Sequence, residues 1–297
     1  MVSLSGLGLV PLYGVGGALQ KADRIDPAGG SSRLRFRSAE SGLLLYAAAM
    51  RPALLLVLLL CAGGVRAEPS DGLDYGPPAA VDTVLDGRTL RLADGTAVRL
   101  GALDIPAGRW RDIARSVLAE LLQGHPLQLA RLAPPDRYGR VPAQARREDG
   151  LWLEEELVGR GLARVDAGGP EPAEALVSLL VTEGEARAAG RGLWGDPTLA
   201  VRPAESLGRG DLDRFRIVEG QVLQAALVHG QAYLNFGADT RQDFTVTAEP
   251  ETVRRLAAAG VDLTQLQGHR IRVRGWLDWS GGPRIVLDRF EQIERLD

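Results

Sequence analysis

The stretch DGRTLRLADGTAVRLGALDIPA, residues 86–107, decides the fold. Thr89-Leu90-Arg91-Leu92 and Thr96-Ala97-Val98-Arg99-Leu100 alternate in polarity around Ala93-Asp94-Gly95. Asp-Gly between two half-apolar runs predicts a hairpin. LDIPA ends the run, because Pro106 lacks a backbone N–H and stops a strand. Two strands and their exit thus converge Asp86, Arg99 and Asp104 near one sheet edge.

Outward from this stretch, Val81–Leu85 reads as a preceding strand. From Arg109 to Leu122, Trp110, Ile113, Val117, Leu118 and Leu121 recur at helical spacing, and Gly124 is placed to end that helix. Leu127–Leu132 and Val141–Arg147 read as two more strands, joined by PPDRYGR. Three strands, a helix and two strands is the order of a five-stranded Greek-key barrel of the OB type. Helices over Leu151–Gly161 and Glu171–Gly190 follow, with Leu153, Leu157 and Val158, then Leu176, Leu179, Leu180 and Ala186, as packing faces. Glu154, Glu155 and Glu156 are read as structural carboxylates of a first helical turn, which usually sit in water.

After Pro197 the composition changes, and residues 198–212 read as a linker between domains. From Phe215 the strands RIVEGQVLQA, QAYLNFG and DFTVTA precede a helix at Pro250–Ala259, and HRIRVRGWLDW and PRIVLDRFEQI follow it. The same order predicts a second OB-like β-barrel over 213–297. The expected class is mainly β with helices (α+β), in two compact units at 79–197 and 213–297.

The spaced motifs DGRT at 86–89, VRL at 98–100, DIPA at 104–107 and DRYGR at 136–140, with GLARV at 161–165 and RGLWGDP at 191–197, resemble the staphylococcal nuclease-like (thermonuclease) family. Its members usually read DGDT, VRL, DTPE and DRYGR. The resemblance implies an OB-type barrel with helices and a phosphodiesterase site. In that site two aspartates, of DGDT and DTPE, help hold Ca2+, the glutamate of DTPE acts near the attacking water, and the arginines of VRL and DRYGR clamp the phosphate.

Carried over, Arg99 and Arg140 match the clamp and Asp104 the second carboxylate ligand. Arg88 stands at the first ligand position and Ala107 at the base position. A hard cation needs several oxygen ligands, and a guanidinium beside it repels it. Asp104 alone is therefore insufficient for a metal, and no cofactor is expected unless the site is an active, Ca2+-dependent one. Arg88, Arg137 and Tyr138 are the candidate binding residues. Asp86 reads as a turn former, and Asp104 as an ion-pair partner of Arg88, Arg99 or both. Arg140 stays open between phosphate contact and scaffold, and Tyr138 between rim packing and stacking. His125, His229 and His269 are isolated and carry no assignment.

Residues 51–67, RPALLLVLLLCAGGVRA, have the layout of a secretory leader: an arginine, an apolar stretch and small residues before a cut site. Met50 directly precedes it, so residues 1–49 read as an over-extended frame and the mature chain as beginning near Glu68, exported to periplasm or medium. An anchor running from Leu43 is broken by Arg51 and falls short of the ~20 residues a span needs. Cys61 is the only cysteine, which excludes an intramolecular disulfide and a cysteine-based metal site. The net charge of −3 becomes more negative once the leader is removed, and no basic face of the kind a nonspecific DNA binder carries is evident. Two readings follow. One is a nuclease-like protein, weak or inactive, with an arginine-lined anion pocket for nucleic acid or another phosphate-bearing ligand; the other is an active metal-dependent endonuclease on DNA or RNA. A protein partner of residues 213–297 is a further expectation.

Overall fold

The structure, a computed structural model, describes residues 72–239 and 242–297. The segment read as a leader, residues 51–67, and residues 1–49, read as an extension, lie outside the described residues. Chain order in the first half is β1 (Val81–Val84), β2 (Thr89–Leu92), β3 (Ala97–Leu100), β4 (Leu103–Asp104), α1 (Arg109–Leu122), β5 (Leu127–Arg131), β6 (Arg140–Arg147), α2 (Leu153–Gly159), β7 (Arg164–Val165) and α3 (Ala173–Ala188). The second half holds β8 (Arg202–Pro203), β9 (Phe215–Gln221), β10 (Gln224–Val228), β11 (Gln231–Asn235), β12 (Thr245–Ala248), α4 (Pro250–Ala258), β13 (Arg270–Trp279), β14 (Pro283–Val286) and β15 (Ile293–Arg295). The class is α+β.

The hairpin forms where the alternation puts it. β2 and β3 pair antiparallel with Leu90 opposite Val98, and Gly95 takes φ 87° in the turn, a conformation glycine adopts without strain. Thr96 N–H donates to the Asp94 carboxylate at 2.8 Å, closing the loop. Because side chains alternate across a strand, Val98 and Leu100 enter the core and Arg99 is left on the other face. Gly87 has a different reason: a Cβ there would stand 2.9 Å from the Ala114 Cβ, so α1 crosses the β1–β2 turn closely only because the side chain is absent.

The two halves follow one plan. In the first sheet the order is β1-β2-β3-β6-β5, with β3 and β6 parallel, and Ala79, just before β1, bridges Leu127 of β5. In the second, β10-β11-β12 run antiparallel, β12 is parallel to β14, and β14 leads through β13 to β9. Residues 222 and 223 alone separate β9 from β10. Each half has its own apolar core: Leu90, Leu100, Leu118, Leu153, Leu157 and Leu176 belong to the first, and Val218, Leu234, Val246, Ile271 and Ile285 to the second.

The described residues nonetheless fall in one compact unit. Arg274 of β13, with its side chain 1% exposed, meets the Glu183 carboxylate of α3 at 2.8 Å and donates to the Val165 carbonyl at 3.1 Å. Burial works against its charge, but Glu183 and Glu294 hold its pKa above the ordinary arginine value. Arg289 reaches back to the carbonyls of Gly169, at 2.9 Å, and Glu171. The segment read as a linker is a run of 3-10 turns with β8 paired parallel to β9. Within it Asp211 accepts from Arg216 Nε at 2.9 Å and Arg202 Nη1 at 3.2 Å.

Two expectations are corrected. Glu154 does not sit in water: it is fully buried, and both carboxylate oxygens lie 3.2 Å from the Ala145 N–H, so α2 ties down β6 from inside. Burial drives its pKa well above the usual carboxylate value. In α1 Leu118 is buried and Trp110, Val117 and Leu121 pack against the core as expected, but Ile113 is left 41% exposed, and Ala114 is the residue that meets the close approach at Gly87.

Candidate functional site

Four elements bring the site together: the β1–β2 turn, β3, β4 and β7. Asp86 caps the turn, accepting from Arg88 N–H at 2.8 Å. This is the expected turn-forming role, and it aims the Arg88 side chain across to β4, where Nη1 donates to the Leu103 carbonyl. The Arg88 guanidinium is held below the ordinary arginine pKa, first by burial and then by the charge of Arg99; Asp104, Asp166 and Asp86 oppose that shift. Arg88, Arg99, Asp104 and Asp166 thus share one electrostatic neighbourhood.

Asp104 is buried, and its partner is neither Arg88 nor Arg99. β4 pairs with β7 so that Asp104 stands opposite Arg164, and Arg164 donates to Asp104 Oδ2 from Nε at 2.9 Å and Nη2 at 2.6 Å. The register explains the correction: directly opposed side chains on neighbouring strands meet at about 5 Å between Cβ atoms. Both contacts fall on one oxygen, so Oδ1 carries no bond from Arg164. The Arg164 guanidinium also lies 5.2 Å from the ring centre of Phe215, a residue of β9.

The turn from β3 into β4 is braced from a distance. Ala102 takes φ 54°, unusual for a residue with a side chain. Its N–H donates to Glu171 Oε1 at 2.6 Å, and its carbonyl accepts from Asp166 N–H at 2.9 Å. Arg99, Ala102, Asp136, Asp166 and Glu171 are among the residues lining a cavity of about 170 Å³. The Arg99 side chain makes no hydrogen bond or ion pair among the described residues. Burial raises the Asp166 pKa, the Gly168 N–H lowers it, Asp104 raises it, and Arg88 and Arg99 lower it; the net shift is upward.

Arg140 opens β6 and is occupied. Asp136 accepts from its Nε at 2.9 Å and lies 2.8 Å from its Nη2, and also accepts from the N–H groups of Tyr138 and Arg140. The bond from Arg140 is the largest influence pulling the Asp136 pKa down to about 2. Arg140 and Arg137 both lie over the Tyr138 ring, at 5.0 and 4.8 Å, and Tyr138 is 65% exposed. DRYGR is therefore a self-bonded turn. Ala107 is exposed in the loop before α1 and offers no proton acceptor.

The donor set does not fit a resident Ca2+. Arg88 occupies the neighbourhood of a carboxylate ligand, Asp104 is neutralised by Arg164, and among the described residues no three His, Cys, Asp or Glu side chains group to hold a metal. Of the charged side chains, Arg99, Asp136, Asp166 and Glu171 line the cavity, and the charges of Arg88 and Arg99 act on one another. Arg164, Asp166 and Glu171 escaped the sequence reading. One signal was available: an arginine inside the otherwise apolar run of Gly161-Leu162-Ala163-Arg164-Val165 has to find a buried partner.

Among curated proteins none matches the chain. Residues 89–196 match the family model of staphylococcal nuclease homologues, a span that begins one residue after Arg88 and takes in Arg99, Asp104, Ala107, Arg140 and Arg164. Residues 89–196 are therefore a domain of the staphylococcal nuclease homologue family.

Proposed function

We propose that this nuclease-type domain serves an exported protein as a phosphate-binding module with little or no hydrolytic power. The observation that carries the reading is Arg99: a guanidinium without a partner among the described residues, beside a cavity, next to the charge of Arg88. Guanidinium groups bind phosphate strongly and with directional bonds. The ligand is the phosphate of a nucleic acid strand or of another phosphorylated molecule. Arg137 and Tyr138 adjoin Asp136 of the cavity lining, and Arg140, held by Asp136 through Nε and Nη2, has Nη1 left to offer the ligand.

Hydrolysis needs more than binding. A general base commonly contributes about 10²–10⁴ in rate, and Ala107 supplies none; a metal's Lewis-acid contribution of several kcal/mol has no ligand set here. The second reading, an active phosphodiesterase on DNA or RNA, draws on one observation, that Asp104 and Asp166 lie near Arg99. Arg164 already neutralises the first of these and burial favours the protonated form of the second. On our reading each half is an OB-type barrel, supported by the shared strand path and the bridge from Ala79 to Leu127.

Binding is tested by titrating the full chain with inorganic phosphate and with a nucleoside 3′,5′-bisphosphate in EDTA. We expect saturable binding that weakens with salt and is lost in Arg99→Gln. Absence of binding, or binding indifferent to that substitution, refutes the proposal.

A further inference from the structure

The outer face of the second sheet holds polarity that the nuclease domain does not use. Along β11, β12 and β14 the residues Ala232, Leu234, Val246 and Ile285 turn into the core, so their neighbours turn outward. The register lines up Gln224, Asn235, Thr245 and Arg284 in one row across four strands, with Tyr233 opposite Thr247 in the next. These six side chains line a cavity of about 630 Å³.

Two of them are unfinished. Thr247 is only 3% exposed, yet its hydroxyl has no hydrogen-bond partner, and buried hydroxyls nearly always have one. Asn235 is 7% exposed; its Oδ1 accepts from Thr245 Oγ1 at 3.0 Å, which leaves its amide N–H groups for something else. Tyr233 adds an aromatic ring whose hydroxyl is already committed to Gln231 at 3.0 Å.

Charge narrows the ligand class. Arg284 is gripped by Asp278 at 2.9 and 2.7 Å, and Glu249 also lines the cavity, so the residues lining it offer no uncompensated positive charge. A single nucleic acid strand asks for a basic groove along its backbone. A sugar asks for what is present: hydroxyl and amide groups for its hydroxyls and a ring for its C–H face.

We propose that this face binds a neutral oligosaccharide, independently of the arginine site. The test is titration of the full chain in EDTA with cellohexaose, maltohexaose and chitohexaose, followed by heteronuclear NMR, with an oligothymidylate for comparison. At least one sugar should bind, perturbing residues of β11 and β12. Affinity should fall about tenfold in Thr247→Val, which keeps the side-chain shape and removes the hydroxyl, and further in Tyr233→Ala, but be unchanged in Arg99→Gln. Near-ultraviolet circular dichroism checks that both variants fold; should Tyr233→Ala not fold, the isosteric Thr247→Val decides alone. No sugar binding, sugar binding untouched by Thr247→Val, or binding of oligothymidylate in place of sugar at this face would overturn the proposal.

Discussion

Arg99 and Asp166 define the chemistry at the residue scale. Both line the same cavity, and the charged groups around Asp166 are Arg88, Arg99, Asp104 and Glu171, a second lining carboxyl whose pKa burial also raises. A carboxyl whose folded pKa is raised takes up its proton at a higher pH than a free aspartate, whose value is 3.8. Below that raised value the site loses a negative charge and becomes more positive. Sulfate, whose own charge is constant over this range, should therefore bind more tightly as pH falls through the Asp166 transition. The linkage has the matching sign for stability: the protonated form favours the fold, and that contribution is lost as pH rises through the raised pKa. Sulfate titrations at several pH values read this out, and Asp166→Asn should flatten the profile. A profile as steep in Asp166→Asn as in the wild type would place the titrating group elsewhere.

At the scale of elements, the parts read from sequence are those whose causes are local. Alternation in β2 and β3, Asp94-Gly95 between them and helical spacing in α1 and α3 are properties of neighbouring residues, so strand and helix order was legible on both sides of residue 198. The supports of the site were not. Asp104 finds Arg164 across 60 positions, and Ala102 finds Glu171 across 69; neither pairing has a periodic signature. Glu154 was misread for the same reason, because only the packing of α2 on β6 decides whether a first-turn carboxylate is wet or buried. The joint between α3 and β13 belongs here too. Breaking a buried ion pair leaves an uncompensated charge and costs about 3–5 kcal/mol, so Arg274→Met should lower stability toward the low end of that range in chemical denaturation, since Glu183 keeps Arg187 at 3.2 Å and the Val165 N–H at 2.7 Å. Adding Glu183→Leu to Arg274→Met should recover a good part of the loss. If the single substitution costs no more than an exposed arginine would, the pair does not join the halves.

Across the whole molecule, the second half reaches the site through Phe215, whose ring meets Arg164, and through Arg274, which bonds the Val165 carbonyl beside it. The nuclease-homologue domain is thus supported by a sheet that lies outside its family match. On the function proposed above, the site lacks what hydrolysis requires: a second carboxylate ligand at Arg88 and a base at Ala107. Asp104 keeps Oδ1 clear of Arg164, and the Arg99 side chain has no partner among the described residues. The most direct measurement is Ca2+-dependent cleavage of single-stranded DNA by the unmodified protein and by Arg88→Asp/Ala107→Glu, side by side. The account predicts cleavage near the detection limit for the first and a rise of about 10²-fold or more for the second. Rapid Ca2+-dependent cleavage by the unmodified protein, abolished in Arg99→Ala and so not due to a contaminant, would contradict it.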